Sequence, residues 1–135
     1  MKYARYAFTA LLAVSFGVAA TPKDGMNTTG WEKAKKAYIY QLSANNPGVV
    51  ASAANFVRKY NIVEATDALK TILLCDHCEA VKVSAALALV EVAGDEGVKT
   101  IKEAMKTEEN ELVIAFYNVI LHADSEKYIA PISEN

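Results

Sequence analysis

The stretch "VVASAANFVRKYNIVEATDALKTIL" (49–73) decides the fold, because it recurs later in the chain as "VKVSAALALVEVAGDEGVKTIKEAM" (81–105). The two segments align at an offset of 32 residues without a gap. The aligned positions share a small-residue run, a glutamate and a lysine: Ser52-Ala53-Ala54 with Ser84-Ala85-Ala86, Glu64 with Glu96, and Lys70 with Lys102. A repeat of this period predicts stacked copies of one supersecondary unit.

Each copy has the pattern of two helices joined by a short turn. Alanine, leucine, glutamate and lysine are abundant, and apolar residues do not alternate with a period of two, so strands are not predicted. "NNPG" (45–48) predicts a helix start, with Pro47 in the first turn and Asn46 as the cap. A third copy begins at "ELVIAFYNVIL" (111–121), and Pro131 interrupts its truncated second helix.

The second copy also carries a family pattern of a basic residue after valine, a small pair, a Gly-Asp turn and spaced apolar residues. The positions are Val81-Lys82, Ala85-Ala86, Leu89, Gly94-Asp95, Val98, Ile101, Ala104 and Met105. This pattern resembles the short bacterial HEAT repeats that also occur in phycobilisome lyases, and the resemblance covers about residues 45–122. Lys82 stands where arginine is usual, and Tyr60-Asn61-Ile62 replaces the Gly-Asp turn in the first copy.

The HEAT resemblance implies an all-α fold: a short right-handed α-solenoid of stacked antiparallel helix pairs, with about six or seven helices over residues 31–135. An isolated helix pair cannot bury its apolar face, so stacked pairs share one continuous core. The resemblance also implies a binding scaffold, because HEAT arrays serve many partners.

The N-terminus has the pattern of a secretory signal peptide. Lys2 and Arg5 precede fourteen uncharged residues, and Val18-Ala19-Ala20 places small residues at the cleavage site. Fourteen residues span roughly 21 Å as a helix, too short for a bilayer core of about 30 Å. The sequence therefore predicts cleavage after Ala20, a secreted or periplasmic location, and a flexible leader over residues 21–30.

Charge and motifs narrow the function classes. The whole chain has 14 basic and 16 acidic residues, and loss of Lys2 and Arg5 would leave 12 against 16, a formal charge of −4. An acidic balance disfavours binding to nucleic acid or anionic membranes. No Gly-rich phosphate loop, His-Glu-x-x-His or Gly-x-Ser-x-Gly motif occurs. We expect a non-enzymatic protein without a cofactor, and no membrane insertion after cleavage.

Cys75 and Cys78, in "CDHC" (75–78), lie in the predicted connection between two helix pairs. Residues three apart in a turn readily bring their Cα atoms within about 4.4–6.8 Å, the separation that a disulfide needs. Export would supply the oxidising compartment. The favoured prediction is a Cys75–Cys78 disulfide without a metal, because His122 is predicted to lie roughly one helix length away. A thiol redox centre, a metal carrier and two idle thiols are the alternatives.

The ends of a short array need caps, since they would otherwise expose apolar layers. We expect a helix over Trp31–Ala44 to cover the front, through Trp31, Tyr38 and Tyr40. The alternative is that these aromatic side chains form a binding patch. Residues 124–135, with Tyr128, Ile129 and Ile132, are expected to close the back.

The predicted function is an exported interaction scaffold or adaptor; the alternative is an exported thiol redox or metal-carrying protein that uses Cys75 and Cys78. In HEAT arrays the second helices line one face, and here the predicted outward residues are Asp67, Lys70, Lys99, Lys102 and Glu103. Because Lys70 and Lys102 match at the repeat offset, they would form a two-step row of positive charge toward an acidic partner. A third hypothesis is self-association through the ends.

Overall fold

A computed structural model describes residues 25–75 and 78–127, with side chains to residue 123. The chain divides into two units after Trp31, and the repeats lie in the second unit, which begins at Glu32. Four parts of the sequence predictions fall outside the described residues: the signal peptide (1–20), the first four residues of the leader (21–24), the pair Asp76-His77 and the last eight residues.

The described residues form six α-helices and one short 3₁₀ turn, with no strand among them, so the all-α prediction is confirmed. In chain order they are α1 (Thr28–Gln41), α2 (Pro47–Lys59), the 3₁₀ turn (Val63–Ala65), α3 (Thr66–Leu74), α4 (Glu79–Ala93), α5 (Asp95–Ala104) and α6 (Glu111–Lys127).

Local chemistry explains where these helices begin and turn. Asn46 caps α2 as predicted: its side chain accepts hydrogen bonds from the amides of Gly48 at 2.9 Å and Val49 at 3.3 Å. α1 begins at Thr28 rather than at the predicted Trp31. Asn27 accounts for the earlier start, because its side chain accepts a hydrogen bond from the Gly30 amide at 2.8 Å.

The repeat is visible in the helix boundaries. α2, α4 and α6 begin at residues 47, 79 and 111, so each start lies 32 residues after the one before. α4 is central and contacts α2, α3, α5 and α6, while α3 also contacts α5. The predicted stripe Ala65, Leu69, Ile72 and Leu73 is buried.

The core repeats as well. Fully buried residues recur at the repeat offset: Ala53 with Ala85, Ala54 with Ala86, Val57 with Leu89, and Leu69 with Ile101. The small residues allow α2 and α4 to pack closely, and the longer side chains fill the core around them. Shared burial at matched positions shows that the sequence repeat is a repeat of packing.

Gly97 lies at a point where α5 approaches α4 closely. A Cβ at this position would lie 2.5 Å from the backbone oxygen of Leu89 and 2.8 Å from its carbonyl carbon. The turn before it, at Gly94, has φ +51° and ψ −124°, a conformation in which side-chain-bearing residues are strained. The two glycines thus set the spacing of the second helix pair.

Tyr117 of α6 is fully buried, at a position where the two earlier copies have Ala85 and Ala53. Its hydroxyl has no hydrogen-bond partner among the described residues. Burial, and to a lesser degree the charge of Glu108, raises the pKa of Tyr117 well above its ordinary value. The side chain therefore acts as a large apolar filler that carries one unsatisfied polar atom.

Candidate protein-interaction surface

The five predicted contact residues lie on two helices that touch each other, α3 and α5. Asp67 is almost fully exposed, with 98% of its side-chain surface accessible. Lys99, Lys102 and Glu103 on α5 are also exposed. The five residues therefore lie on neighbouring helices, although they come from two separate parts of the chain, 67–70 and 99–103.

Lys70 differs from the other four because a contact within the chain already engages it. Its ammonium group donates a hydrogen bond to Glu96 at the start of α5 and lies 3.9 Å from Asp67. The bond to Glu96 raises the pKa of Lys70 above its ordinary value. Most of the charge of Lys70 is thus compensated, and Lys99 and Lys102 are the basic residues that this face presents to solvent.

A second lysine repeats this arrangement one layer earlier. Lys35 of α1 lies 2.6 Å from Glu64 and 2.9 Å from Glu32. The hydrogen bond to Glu64 raises the pKa of Lys35, and the same bond lowers that of Glu64. In both cases a lysine contacts a glutamate of the following repeat: Lys35 of α1 contacts Glu64, just before α3, and Lys70 of α3 contacts Glu96, at the start of α5. The sequence matches Glu64 with Glu96, but it does not reveal their partners, 29 and 26 residues away.

The most enclosed ion pair joins α4 to the connection before α6. Lys82 lies 2.6 Å from Glu108, and their side chains are only 12% and 7% exposed. The hydrogen bond from Lys82 holds the pKa of Glu108 below its ordinary value. An open cavity of about 320 Å³ borders the pair and is also lined by Leu74, Cys75 and Thr107. The family pattern drew attention to Lys82 only as an arginine substitute, so its partner was missed.

Replacing Lys82 with methionine should lower the free energy of unfolding by about 2 kcal/mol at pH 7, because Glu108 would keep its charge without a partner. The lowered pKa means that Glu108 contributes stability above pH 4.5, which is lost as the pH falls below that value. The difference between wild type and variant should therefore shrink between pH 5 and pH 3. Denaturant unfolding at several pH values measures it.

Arg58→Met is the matched control, since the Arg58–Glu91 contact is longer, at 3.8 Å, and more exposed. We expect a loss below about 1 kcal/mol for this variant at pH 7. Equal losses for Lys82→Met at pH 7 and pH 3 would show that the ion pair does not stabilise the fold.

The two cysteines lie at the helix ends where the sequence placed them. Cys75 follows the last residue of α3, Cys78 precedes the first residue of α4, and both carry exposed free thiols. The disulfide stays a prediction, as does the redox alternative. Within 25–75 and 78–127, no group of three or more His, Cys, Asp or Glu side chains is placed to hold a metal ion.

The three aromatic residues of the first helix have different surroundings. Tyr38 stacks on Phe56 of α2, with ring centroids 3.5 Å apart and planes 10° apart. Tyr40 is 81% exposed. Trp31 is half-buried and belongs to the first unit. Tyr38 thus packs on the first helix pair, whereas Tyr40 presents its ring to solvent.

α6 carries an exposed apolar stripe that sequence reasoning missed. Leu112, Phe116 and Val119 are 51%, 43% and 65% exposed. The matching positions of α2 are Gly48, Ser52 and Asn55, all small or polar. A comparison of the copies position by position could have found this difference at Leu112 and Phe116, where the second copy has Ala80 and Ser84.

Across the residues that the structure describes, no helix is both long and apolar enough to cross a membrane. Comparison with family models, with curated proteins and with solved structures gives no match to this chain.

Proposed function

We propose that this chain is an exported HEAT-like repeat protein that acts as a non-enzymatic scaffold or adaptor for protein–protein interaction. Matched helix starts, matched buried positions and the central place of α4 support a stack of antiparallel helix pairs, for which the HEAT resemblance implies a right-handed twist. Such a stack presents its second helices side by side, and α3 and α5 lie in contact here.

The observation that carries the proposal is the charged outer face of α3 and α5. α5 separates its sides sharply: Gly97, Ile101 and Ala104 are buried, while Lys99 and Lys102 are exposed. Neither lysine forms an ion pair with any described side chain, unlike Lys70. Two uncompensated lysines one turn apart, in a protein of net negative charge, suit an acidic patch on a protein partner.

The test is capture of partners from the native envelope fraction with wild type and with Lys99→Glu/Lys102→Glu. We expect the double reversal to reduce capture at least tenfold, since it turns attraction into repulsion across the contact. Capture by the wild type should also weaken as salt rises, because exposed charges are screened.

Lys36→Glu/Lys59→Glu is the matched control, because these two lysines are also exposed and lie outside the α3–α5 face. It makes the same change in net charge and should leave capture of those partners unchanged. Equal capture by wild type and Lys99→Glu/Lys102→Glu would reject the α3–α5 face as the contact surface.

A further inference from the structure

The first described helix has the repeat position of a second helix. α1 ends at Gln41. The second helices α3 and α5 end at Leu74 and Ala104, and moving these ends back by one and two repeat lengths of 32 residues gives positions 42 and 40, beside the end of α1. At the positions that match buried Ala65, Leu69 and Ile72, α1 has Lys33, Ala37 and Tyr40, and all three are exposed. α1 thus lacks, among the described residues, the first helix that would cover this face.

The last described helix has the opposite deficit. α6 starts where a first helix starts, and the positions that match buried Val50, Ala54 and Val57 of α2 are Ile114, Asn118 and Leu121. In α6 these three are half-buried, exposed and half-buried. A following layer would complete the burial of Ile114 and Leu121.

The α6 end and the α1 end also carry residues of opposite charge that could pair, Lys102 and Glu32. The link from a lysine to the glutamate of the next second helix occurs twice, as Lys35–Glu64 and Lys70–Glu96. Lys102 occupies the same repeat position as Lys70 but has no ion-pair partner among the described residues. The repeat position that follows Glu96 is residue 128, which is a tyrosine and not a glutamate. Glu32 occupies the same repeat position as Glu64 and Glu96, and half of its side-chain surface is exposed.

We propose that a second copy of this chain stacks head to tail on the α6 end, with its α1 against α6 and its Glu32 paired with Lys102. At this junction α6 is a first helix that lacks its second helix among the described residues. The α1 of the other copy is a second helix that lacks its first helix within the same described residues, so each supplies what the other lacks. The inference rests on the proposed function, since it names a second copy as one partner of an interaction module. Because the two surfaces differ, the contact is heterologous, so it builds a ring or an open series rather than a two-fold dimer.

The test is sedimentation velocity over a wide concentration range, on protein expressed in the native host. We expect the wild type to form species beyond the dimer. Lys102→Glu and Glu32→Lys should each weaken association roughly three- to tenfold, as each places like charges at the junction. A mixture of the two variants should restore association. Residue 102 of each variant then meets a residue 32 of opposite charge on the other variant.

Two further variants locate the interface. Tyr40→Ser should weaken association about tenfold or more, since an exposed aromatic residue would be buried at the junction. Val119→Ser, on the exposed stripe of α6 that points away from Ile114 and Leu121, should leave association unchanged. Because Tyr40 and Val119 are 81% and 65% exposed, neither change should disturb folding.

Three results would overturn the stacking proposal: a wild type that stays monomeric, association that ends at a dimer, or a mixture that fails to restore what the single variants lose. A monomer would leave the α6 end to residues 128–135 or to another protein. Glu32→Lys keeps failure of this inference separate from failure of the proposed function, because it lies outside the α3–α5 face and should not reduce capture of other partners.

Discussion

Gly97→Ala should lower the free energy of unfolding by about 3 kcal/mol, because the added methyl group would meet backbone rather than a movable side chain. The Cβ would lie 2.5 Å from the Leu89 oxygen, so α5 must move away from α4. That movement would also loosen the contact of Ile101, which is fully buried in the same helix pair. For a domain whose total stability is about 5–15 kcal/mol, the loss is large.

Chemical denaturation, followed by circular dichroism at the helical band, measures the change for Gly97→Ala. Gly25→Ala is the control, because a Cβ there meets no atom within 4 Å and the change should be close to zero. Unaltered stability in Gly97→Ala would mean that α4 and α5 have room between them, contrary to the described packing.

Tyr117→Ala should lower the free energy of unfolding by about 4 kcal/mol, since it removes a fully buried ring and leaves a cavity between α6 and the rest of the core. Tyr117→Phe should have no cost and can stabilise by up to about 1 kcal/mol. The hydroxyl that it removes has no hydrogen-bond partner among the described residues, so only a buried polar atom is lost.

The pair of Tyr117 variants separates packing from hydrogen bonding in one experiment. Thermal or denaturant unfolding of the two proteins beside the wild type gives both free-energy differences. A loss of 2 kcal/mol or more in Tyr117→Phe would indicate a partner for the hydroxyl, such as a buried water molecule, and would contradict its role as a filler.

The helical fold was predictable because its signal is repeated. A single apolar helix pattern is ambiguous, but Ser52-Ala53-Ala54 and Ser84-Ala85-Ala86 fall at the same offset as Leu69 and Ile101. Two copies that agree at so many positions fix the period, and the period fixes the helix starts. Asn46 and Pro47 were predictable for a local reason, since a cap acts on amides only two and three residues away.

The candidate surface was only partly predictable, because charges find partners through the fold rather than through spacing. Lys70 and Lys102 look equivalent in the sequence, yet among the described residues Lys70 has Glu96 beside it and Lys102 has no such glutamate. The ion pair of Lys82 with Glu108 was not predictable from the sequence either, since the connection that carries Glu108 must fold back onto α4 before the two side chains meet. Such pairs depend on the packing of layers.

The close contact of α5 with α4 at Gly97 was not predictable from the sequence, for a different reason. The matching residue in the first copy is Ala65, which is buried without difficulty, so the alignment of the copies suggests that alanine is acceptable at both positions. The two helix pairs therefore differ in how closely their members approach. A sequence pattern reports which positions are small, but the distance between two backbones appears only in the folded chain.

The even spacing of the helix starts has a consequence for how such a gene can change. Because α4 starts at Glu79 and α6 at Glu111, the coding segment for residues 79–110 begins and ends at the same point of the structural period. A tandem duplication of that segment joins Asn110 to a second Glu79, as Asn110 is joined to Glu111 now. The inserted copy brings its own Lys82 and Glu108, and its counterpart of Glu96 arrives beside Lys102. Recombination can therefore lengthen this protein by whole layers without inventing a new loop.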